Sequence, residues 1–141
     1  MKSNADTPRW VRQILRSQWI WHAARAALAS AFLIGGLTKL SDFSAAVAEQ
    51  EHFGLHPGGL WAAVAIAVEL GGSALVVFGR LVWLGAGGLG VLTAVAMLTA
   101  NDFWTMAGHE RFMALNAFFE HLGLIAGLIL VSARAAEASP A

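Results

Sequence analysis

Four apolar stretches, each of roughly 20 residues, restrict what this chain can fold into. They run over 19–40, 59–78, 81–100 and 112–133. A helix of this length crosses the hydrocarbon core of a bilayer, which is about 30 Å thick. The composition agrees, because 57% of the residues are hydrophobic and only 13% are charged, whereas a soluble domain carries about a quarter charged residues. The sequence therefore predicts an all-α membrane domain over 19–133, folded as a bundle of four transmembrane helices.

Basic residues flank these stretches unevenly, which predicts how the chain is oriented. With the N-terminal segment 1–18 inside, the cytoplasmic side receives six basic residues: Lys2, Arg9, Arg12, Arg16, Arg80 and Arg134. The outer side receives only Lys39 and Arg111. This arrangement satisfies the positive-inside rule. We therefore expect a bacterial inner-membrane protein whose two termini, including a flexible tail over 134–141, lie in the cytoplasm.

The first outer connection predicts a short amphipathic helix lying on the membrane surface. Glu49, His52 and His56 are spaced i, i+3, i+7, which would align two imidazoles and a carboxylate on a continuous helix. Gly54 and Pro57 interrupt such a helix before His56. A solvated face is therefore favoured over a metal site, and these three residues stay a remote metal candidate.

A glycine-rich run in the third stretch, GAGGLG at 85–90, has the glycine spacing of the dinucleotide-binding fingerprint G-x-G-x-x-G. That fingerprint works between a strand and a helix N-terminus, and no strand is predicted here. Small residues on a membrane helix let neighbouring backbones approach closely. The run therefore predicts helix packing and no nucleotide site, and the zero net charge disfavours a nucleic-acid partner.

Several ionisable or polar residues lie within the apolar stretches: Arg25, Glu69, Asn116, Glu120 and His121. A carboxylate near the bilayer centre costs several kcal/mol unless it is paired, hydrated or protonated. We therefore expect Glu69 to face the bundle interior, with Arg25 as its natural partner and Glu120, sharing a proton, as the alternative. Counted by depth, Arg25, Glu69, Glu120 and His121 converge if the first, second and fourth stretches surround a common interior while the third packs behind or against a partner. The cluster is either a binding or proton site or an ion pair that only fixes the helices.

Other side chains are expected near the membrane interface rather than inside the bundle. Lys39, Trp61 and Trp104 are the candidates for interfacial anchors on the outer side. Haem ligation by His121 is disfavoured, because His22 lies near the opposite face and no second histidine has a matching depth. No cysteine is present, so this chain alone cannot build a thiol relay or an iron–sulfur cluster.

The order of several short segments resembles the DoxX family of four-helix membrane proteins. The segments are FLIGGLTKL at 32–40, FGLHP at 53–57, VELGGSALVVFG at 68–79, DFW at 102–104, FEHL at 119–122 and AGL at 126–128. With Arg25 they span roughly residues 20–133. The resemblance implies a compact bundle associated with membrane redox chemistry, since the family takes its name from a small subunit of a thiosulfate:quinone oxidoreductase. Other members are linked to membrane oxidoreductase complexes.

By the same resemblance, some residues match the family's recurrent polar positions, namely Arg25, Lys39 and Glu69. The chain departs from the family pattern in the fourth stretch, where relatives often have Lys-Asn and this sequence has Glu120-His121. It also has Asn101 where many relatives carry a histidine.

These observations favour a quinone-linked or accessory subunit of a membrane oxidoreductase complex, with quinone as the one cofactor candidate. Electrons would come from a protein partner or a bound donor, because this chain has no thiol and no evident metal centre. Two alternatives stay open: a non-catalytic scaffold or assembly subunit, and a membrane protein that binds a small solute or lipid. The lipid bilayer is a predicted partner in all three, together with a redox-complex subunit or further copies of this chain. The sequence leaves open whether the chain is itself an enzyme.

Overall fold

The computed structural model describes residues 7–138, and all regular structure within that range is helical. The α-helices are α1 (Arg9–Leu15), α2 (Gln18–Ser41), α3 (Phe43–His52), α4 (Gly58–Phe78), α5 (Val82–Ala100) and α6 (Gly108–Glu137), with a 3₁₀ turn at Phe103–Thr105. Among them, α2, α4, α5 and α6 are long and apolar enough to cross a membrane. The predicted all-α fold with four membrane-spanning helices is confirmed.

The short elements differ partly from the prediction. The helix expected in the first long connection is present as α3, whereas α1 was not predicted. The last helix continues to Glu137, so part of the stretch predicted as a flexible tail is helical. Residues 1–6 and 139–141, which belong to the predicted N-terminal segment and tail, lie outside the described part of the chain.

The spanning helices pack in chain order around the bundle. The main contacts join α2 to α4, α4 to α5 and α5 to α6, and a smaller contact between α2 and α6 closes the ring. The prediction that the third spanning helix packs behind the others is wrong, because α5 lies between α4 and α6 and contributes to the interior. The reason is its close approach to α4, which its glycines permit.

Two glycines let α4 and α5 touch backbone to backbone. A Cβ added at Gly85 would lie 2.7 Å from the carbonyl oxygen of Gly72 and 2.8 Å from Cβ of Leu75. A Cβ added at Gly72 would lie 2.9 Å from Cγ of Leu89. Within the glycine-rich run, Gly85 therefore serves helix packing, as predicted, whereas a Cβ added at Gly87 would meet nothing within 4 Å. The turn between the two helices is also short, because Gly79 ends α4 in the left-handed conformation, with φ of 73°.

A cluster of buried apolar side chains occupies one half of the bundle. Its buried members are Phe32, Val76, Val82, Ala86, Leu89, Leu128 and Val131. They lie toward the end that carries the start of α2, the α4–α5 turn and the end of α6, called here the terminal end. The opposite end carries α3 and is called the α3 end. Toward the α3 end the helices enclose two cavities, and Glu69 borders both of them.

Helix α3 is held by a cap at its N-terminus and by a contact with α4. Asp42 caps its N-terminus, since its carboxylate accepts hydrogen bonds from the Ala45 amide at 3.0 Å and the Ser44 hydroxyl at 2.9 Å. Farther along, α3 packs on the first residue of α4, where a Cβ added at Gly58 would lie 2.8 Å from the carbonyl oxygen of Val47. The missing side chain at Gly58 therefore sets the distance between α3 and the bundle.

We predict that Gly85→Ala destabilises the protein, because the added methyl group meets backbone atoms of α4 that must shift. Overpacking of this kind costs about 1–3 kcal/mol. Gly87→Ala is the matched control on the same helix, since a Cβ at Gly87 meets nothing within 4 Å. Thermal unfolding in detergent should show a lower Tm for G85A than for G87A, and equal Tm values would contradict the backbone contact.

We predict that the α3 cap is lost in acid. The hydrogen bonds from the Ala45 amide and the Ser44 hydroxyl hold the pKa of Asp42 below its ordinary value. The stabilisation is therefore fully present above the ordinary pKa of an aspartate and disappears as the pH falls through the lowered pKa. The NMR shift of the Ala45 amide should report that low midpoint. Ser44→Ala should raise the midpoint, and an unchanged midpoint in S44A would argue against the hydroxyl's role.

Candidate functional site

The membrane-spanning part contains an ion pair between α2 and α4. Nζ of Lys39 lies 3.1 Å from Oε1 and 3.3 Å from Oε2 of Glu69. The two side chains are only 21% and 11% exposed, respectively. The pair is therefore mostly buried among the helices, and a charge interaction in this interior is stronger than in water. Glu69 faces the interior, as the sequence predicted.

A gap in α2 receives the carboxylate of Glu69. A Cβ added at Gly35 would lie 3.2 Å from Oε1 of Glu69, and one at Gly36 would lie 3.1 Å from Cβ of Glu69. Lys39 lies one turn beyond Gly35 on the same face of α2. The two glycines thus bring α4 close to α2 and leave space below the lysine for the carboxylate.

The predicted pairing of Glu69 with Arg25 is wrong, and the direction of helical side chains explains why. In a helix, Cα–Cβ bonds tilt toward the N-terminus. Lys39 therefore leans back along α2 toward Gly35, whereas Arg25 leans away from Glu69. Because α4 runs antiparallel to α2, Glu69 leans toward the α3 end and meets Lys39. Counting depth by residue number alone neglects this tilt.

Arg25 instead belongs to the terminal end, where it is only 6% exposed. Its Nη2 donates to Nδ1 of His22 at 2.6 Å. Its guanidinium lies 5.5 Å from the ring centre of Trp21, and Arg134 stacks on the same ring at 5.0 Å. It also packs against the turn at Gly79. Arg25 thus ties the start of α2 to the α4–α5 turn, where the negative end of the α4 dipole favours a cation.

A cavity of about 430 Å³ lies beside the ion pair at the α3 end. Its polar lining consists of Lys39, Glu49, Gln50, Glu69 and Thr99. The remainder is apolar or glycine: Phe53, Leu55, Trp61, Val64, Ala65, Val68, Gly87, Gly88, Val91, Leu92, Val95, Ala96 and Ala100. We call this space the large cavity. It has the form of many ligand sites, which are mostly apolar and carry a few polar groups.

A smaller cavity, of about 150 Å³, lies on another side of Glu69. Its lining residues are Ala31, Phe32, Glu69, Leu92, Thr93, Ala96, His121 and Leu124. Nδ1 of His121 donates to the carbonyl oxygen of Ala117, so the ring keeps its Nε2 for another partner. Glu69 therefore borders both cavities and lies between the large cavity and His121.

The structure brings only part of the predicted polar cluster together. Glu69 and His121 share the small cavity, whereas Asn116 and Glu120 are exposed on the outside of α6. His121 reaches the interior and Glu120 does not, because the two side chains point about 100° apart around α6.

The structure also places the interfacial candidates in two different surroundings. Trp61 lines the large cavity with Lys39. Trp104 instead makes edge-to-face contacts with Phe103 and Phe118, at 5.3 Å and 6.0 Å between ring centres. Lys39 is the residue whose position the sequence prediction misjudged most, because it enters the interior rather than staying at the interface.

The remote metal candidate is not assembled. Glu49 and His52 belong to α3, which ends at His52, and His56 is exposed beyond it. Within residues 7–138, no group of three or more His, Cys, Asp or Glu side chains is arranged to hold a metal ion.

Sequence reasoning missed Gln50, Thr93 and Thr99 as lining residues. The available signal was a polar side chain on an otherwise apolar helix. Thr93 is 3% exposed, and its hydroxyl donates to the carbonyl oxygen of Leu89 at 2.7 Å. Threonines in membrane helices often form this bond, so the signal does not by itself indicate a cavity.

The sequence model of the family described as DoxX matches residues 20–102, more than half of the chain. The chain belongs to the DoxX family. The matched region contains Arg25, Lys39, Glu69 and all residues that line the large cavity, whereas His121 on α6 lies outside it. Searches of curated proteins and of solved structures found no match.

We predict that Lys39→Met destabilises this DoxX protein by about 3 kcal/mol, because it leaves the Glu69 carboxylate without its cation. Glu69→Gln should cost less, since the freed lysine can extend to the end of α2. The double variant K39M/E69Q should recover most of the loss, because neither charge remains. The measurement is the free energy of unfolding in mild detergent. Additive effects of the two substitutions would show that the pair is not coupled.

Proposed function

We propose that this protein binds the head group of an isoprenoid quinone in the large cavity and serves as the quinone-handling subunit of a membrane oxidoreductase complex. The observation that carries the proposal is the Lys39–Glu69 ion pair in the wall of an otherwise apolar cavity. A quinone needs both features, because its ring and tail are apolar while its two oxygens accept hydrogen bonds and take up protons on reduction.

The shape of the cavity supports a ligand that arrives through the membrane. Its volume of about 430 Å³ lies in the range of small-molecule sites. Val64, Val91 and Val95 line it and are themselves 40%, 67% and 38% exposed. The cavity therefore opens along the flank between α4 and α5. Such an opening suits a head group that enters sideways while its tail stays among lipids.

The ion pair supplies the polar chemistry of the proposed site. Nζ of Lys39 carries three N–H donors, of which the Glu69 carboxylate uses only part. A remaining donor can bind a quinone oxygen. The carboxylate of Glu69 borders the same space and can take up a proton and then pass it to that oxygen. Lys39 thus orients the ring, and Glu69 exchanges protons with it.

Protons and electrons arrive by different routes in this proposal. Reduction of a quinone to a quinol takes up two electrons and two protons. His121 borders the small cavity with Glu69, and its Nδ1 holds the proton that is donated to Ala117. Its Nε2 can therefore take up a second proton and pass it to the Glu69 carboxylate. The electrons come from a redox-active partner subunit, since this chain has no cysteine to carry them. The chain is accordingly an accessory subunit rather than an autonomous enzyme.

The distribution of basic residues supports an orientation for the site. The terminal end carries Arg9, Arg12, Arg16, Arg80 and Arg134 among the described residues. We infer that this end faces the cytoplasm of a bacterial inner membrane. The large cavity then lies in the outer half of the membrane, next to α3.

The test is to purify the protein in mild detergent, extract its lipids and measure quinone per protein by chromatography. We expect the unaltered protein to retain quinone and Glu69→Gln to retain on the order of tenfold less, because the freed Lys39 extends to the end of α2 and its hydrogen bond to the quinone oxygen is lost. Glu120→Gln is the matched control, because it neutralises an exposed carboxylate that lines neither cavity. E120Q should behave like the unaltered protein.

A blocking variant tests the location independently of charge. Val95→Trp places an indole in the large cavity with the ion pair intact, whereas Ile34→Trp adds the same group to an exposed position on α2. Quinone should be lost only in V95W. The proposal fails if the unaltered protein carries no more quinone than a matched membrane protein, or if E69Q and E120Q retain equal amounts. Partner assembly that persists in E69Q under those conditions would favour the scaffold role.

A further inference from the structure

Two polar side chains face outward from α6 within the spanning region. Asn116 and Glu120 are exposed, and within residues 7–138 neither makes a hydrogen bond or ion pair. Their depth follows from His121, the next residue after Glu120, which borders the same small cavity as Glu69. Glu120 therefore lies at the depth of the interior ion pair and not at the end of the helix.

An outward carboxyl at this depth needs a partner. Hydrocarbon chains neither donate nor accept hydrogen bonds, so ionisable groups in membrane spans almost always face protein or a water-filled cavity. Glu120 borders neither of the two cavities described above. The partner must therefore come from outside the described chain.

The exposed face of α6 is complementary to itself. The Asn116 amide has two N–H donors, and the Glu120 carboxylate accepts hydrogen bonds. At a spacing of i, i+4 they share one side of the helix, and the tilt of helical side chains directs Glu120 toward the level of Asn116. Two copies of α6 related by a two-fold axis would place each carboxylate beside the amide of the other. Such self-complementarity is what a two-fold interface requires.

The same face also allows close approach of a second helix. Exposed residues recur every third or fourth position along it: Phe112, Asn116, Phe119, Gly123, Ala126 and Leu130. This is the spacing of a seam between two packed helices. A Cβ added at Gly123 meets nothing within 4 Å, so the helix is narrow where a partner would cross. Moreover, α6 is the least covered of the spanning helices.

We propose that this protein forms a parallel homodimer in the membrane, with α6 packed against α6 and Glu120 of each copy accepting a hydrogen bond from Asn116 of the other. The interface is separate from the quinone site, because none of its residues lines either cavity. A variant that disrupts the α6 interface is therefore expected to leave the quinone site intact, and the reverse. The complementarity of one face with itself is the reason to assign a second copy rather than a different subunit.

The absence of cysteine makes the test direct. Phe119→Cys introduces a single thiol on the seam while Asn116 and Glu120 stay in place, and oxidation of native membranes should link two copies through a disulfide. Ile34→Cys is the matched control, an exposed apolar position on α2 at a similar depth, since it adjoins Gly35 beside the Glu69 carboxylate. We expect dimer from F119C and little from I34C.

A second substitution tests the hydrogen bond itself. Added to F119C, Glu120→Leu should reduce cross-linking by roughly three- to tenfold, the range for hydrogen bonds between membrane helices. Glu120→Gln, which keeps an acceptor, should reduce it less. Helical circular dichroism and quinone content serve as checks on folding. Equal cross-linking of F119C and I34C, a product with a different protein, or an E120L value equal to that of E120Q would each overturn the proposal.

Discussion

The arrangement of the membrane domain depends on placing opposite charges side by side among apolar helices. Lys39 and Glu69 can meet because α2 has no side chain at Gly35 and Gly36, so that α4 approaches closely and the carboxylate occupies the vacant space. Either residue alone in this position would be an uncompensated charge with a large cost. The pair therefore couples the position and rotation of α2 and α4, and through the contact of Gly72 with Gly85 it also positions α5.

The two halves of the bundle differ in what occupies their interior. Toward the terminal end, buried apolar side chains of α2, α4, α5 and α6 pack into one cluster. Toward the α3 end, the ion pair needs space and the helices enclose two cavities. A buried charge pair keeps free donors and acceptors that a filled apolar core lacks. The half that encloses these two cavities is thus also the half that contains the ion pair.

The sequence predicted the helices better than their contacts. The spans followed from apolar length, α3 from the composition of its loop, and the role of Gly85 from the packing of small residues. The pairing of Arg25 with Glu69 was wrong, because helical side chains tilt toward the N-terminus and residue counts do not include that tilt. The exposure of Glu120 was also missed, since it depends on how α6 is rotated against α5.

By itself, the sequence determined that this chain forms four membrane-spanning helices and carries charges within them. The reason is local, because each backbone hydrogen bond of a membrane helix is satisfied inside its own segment and hydropathy reports that segment directly. Only the tertiary structure decided which charges meet. Partner choice depends on the depth and rotation of one helix relative to another, and these are set by contacts such as those at Gly35, Gly36 and Gly85. Lys39 thus reaches the interior, Arg25 the terminal end, and Glu120 the outer face of α6.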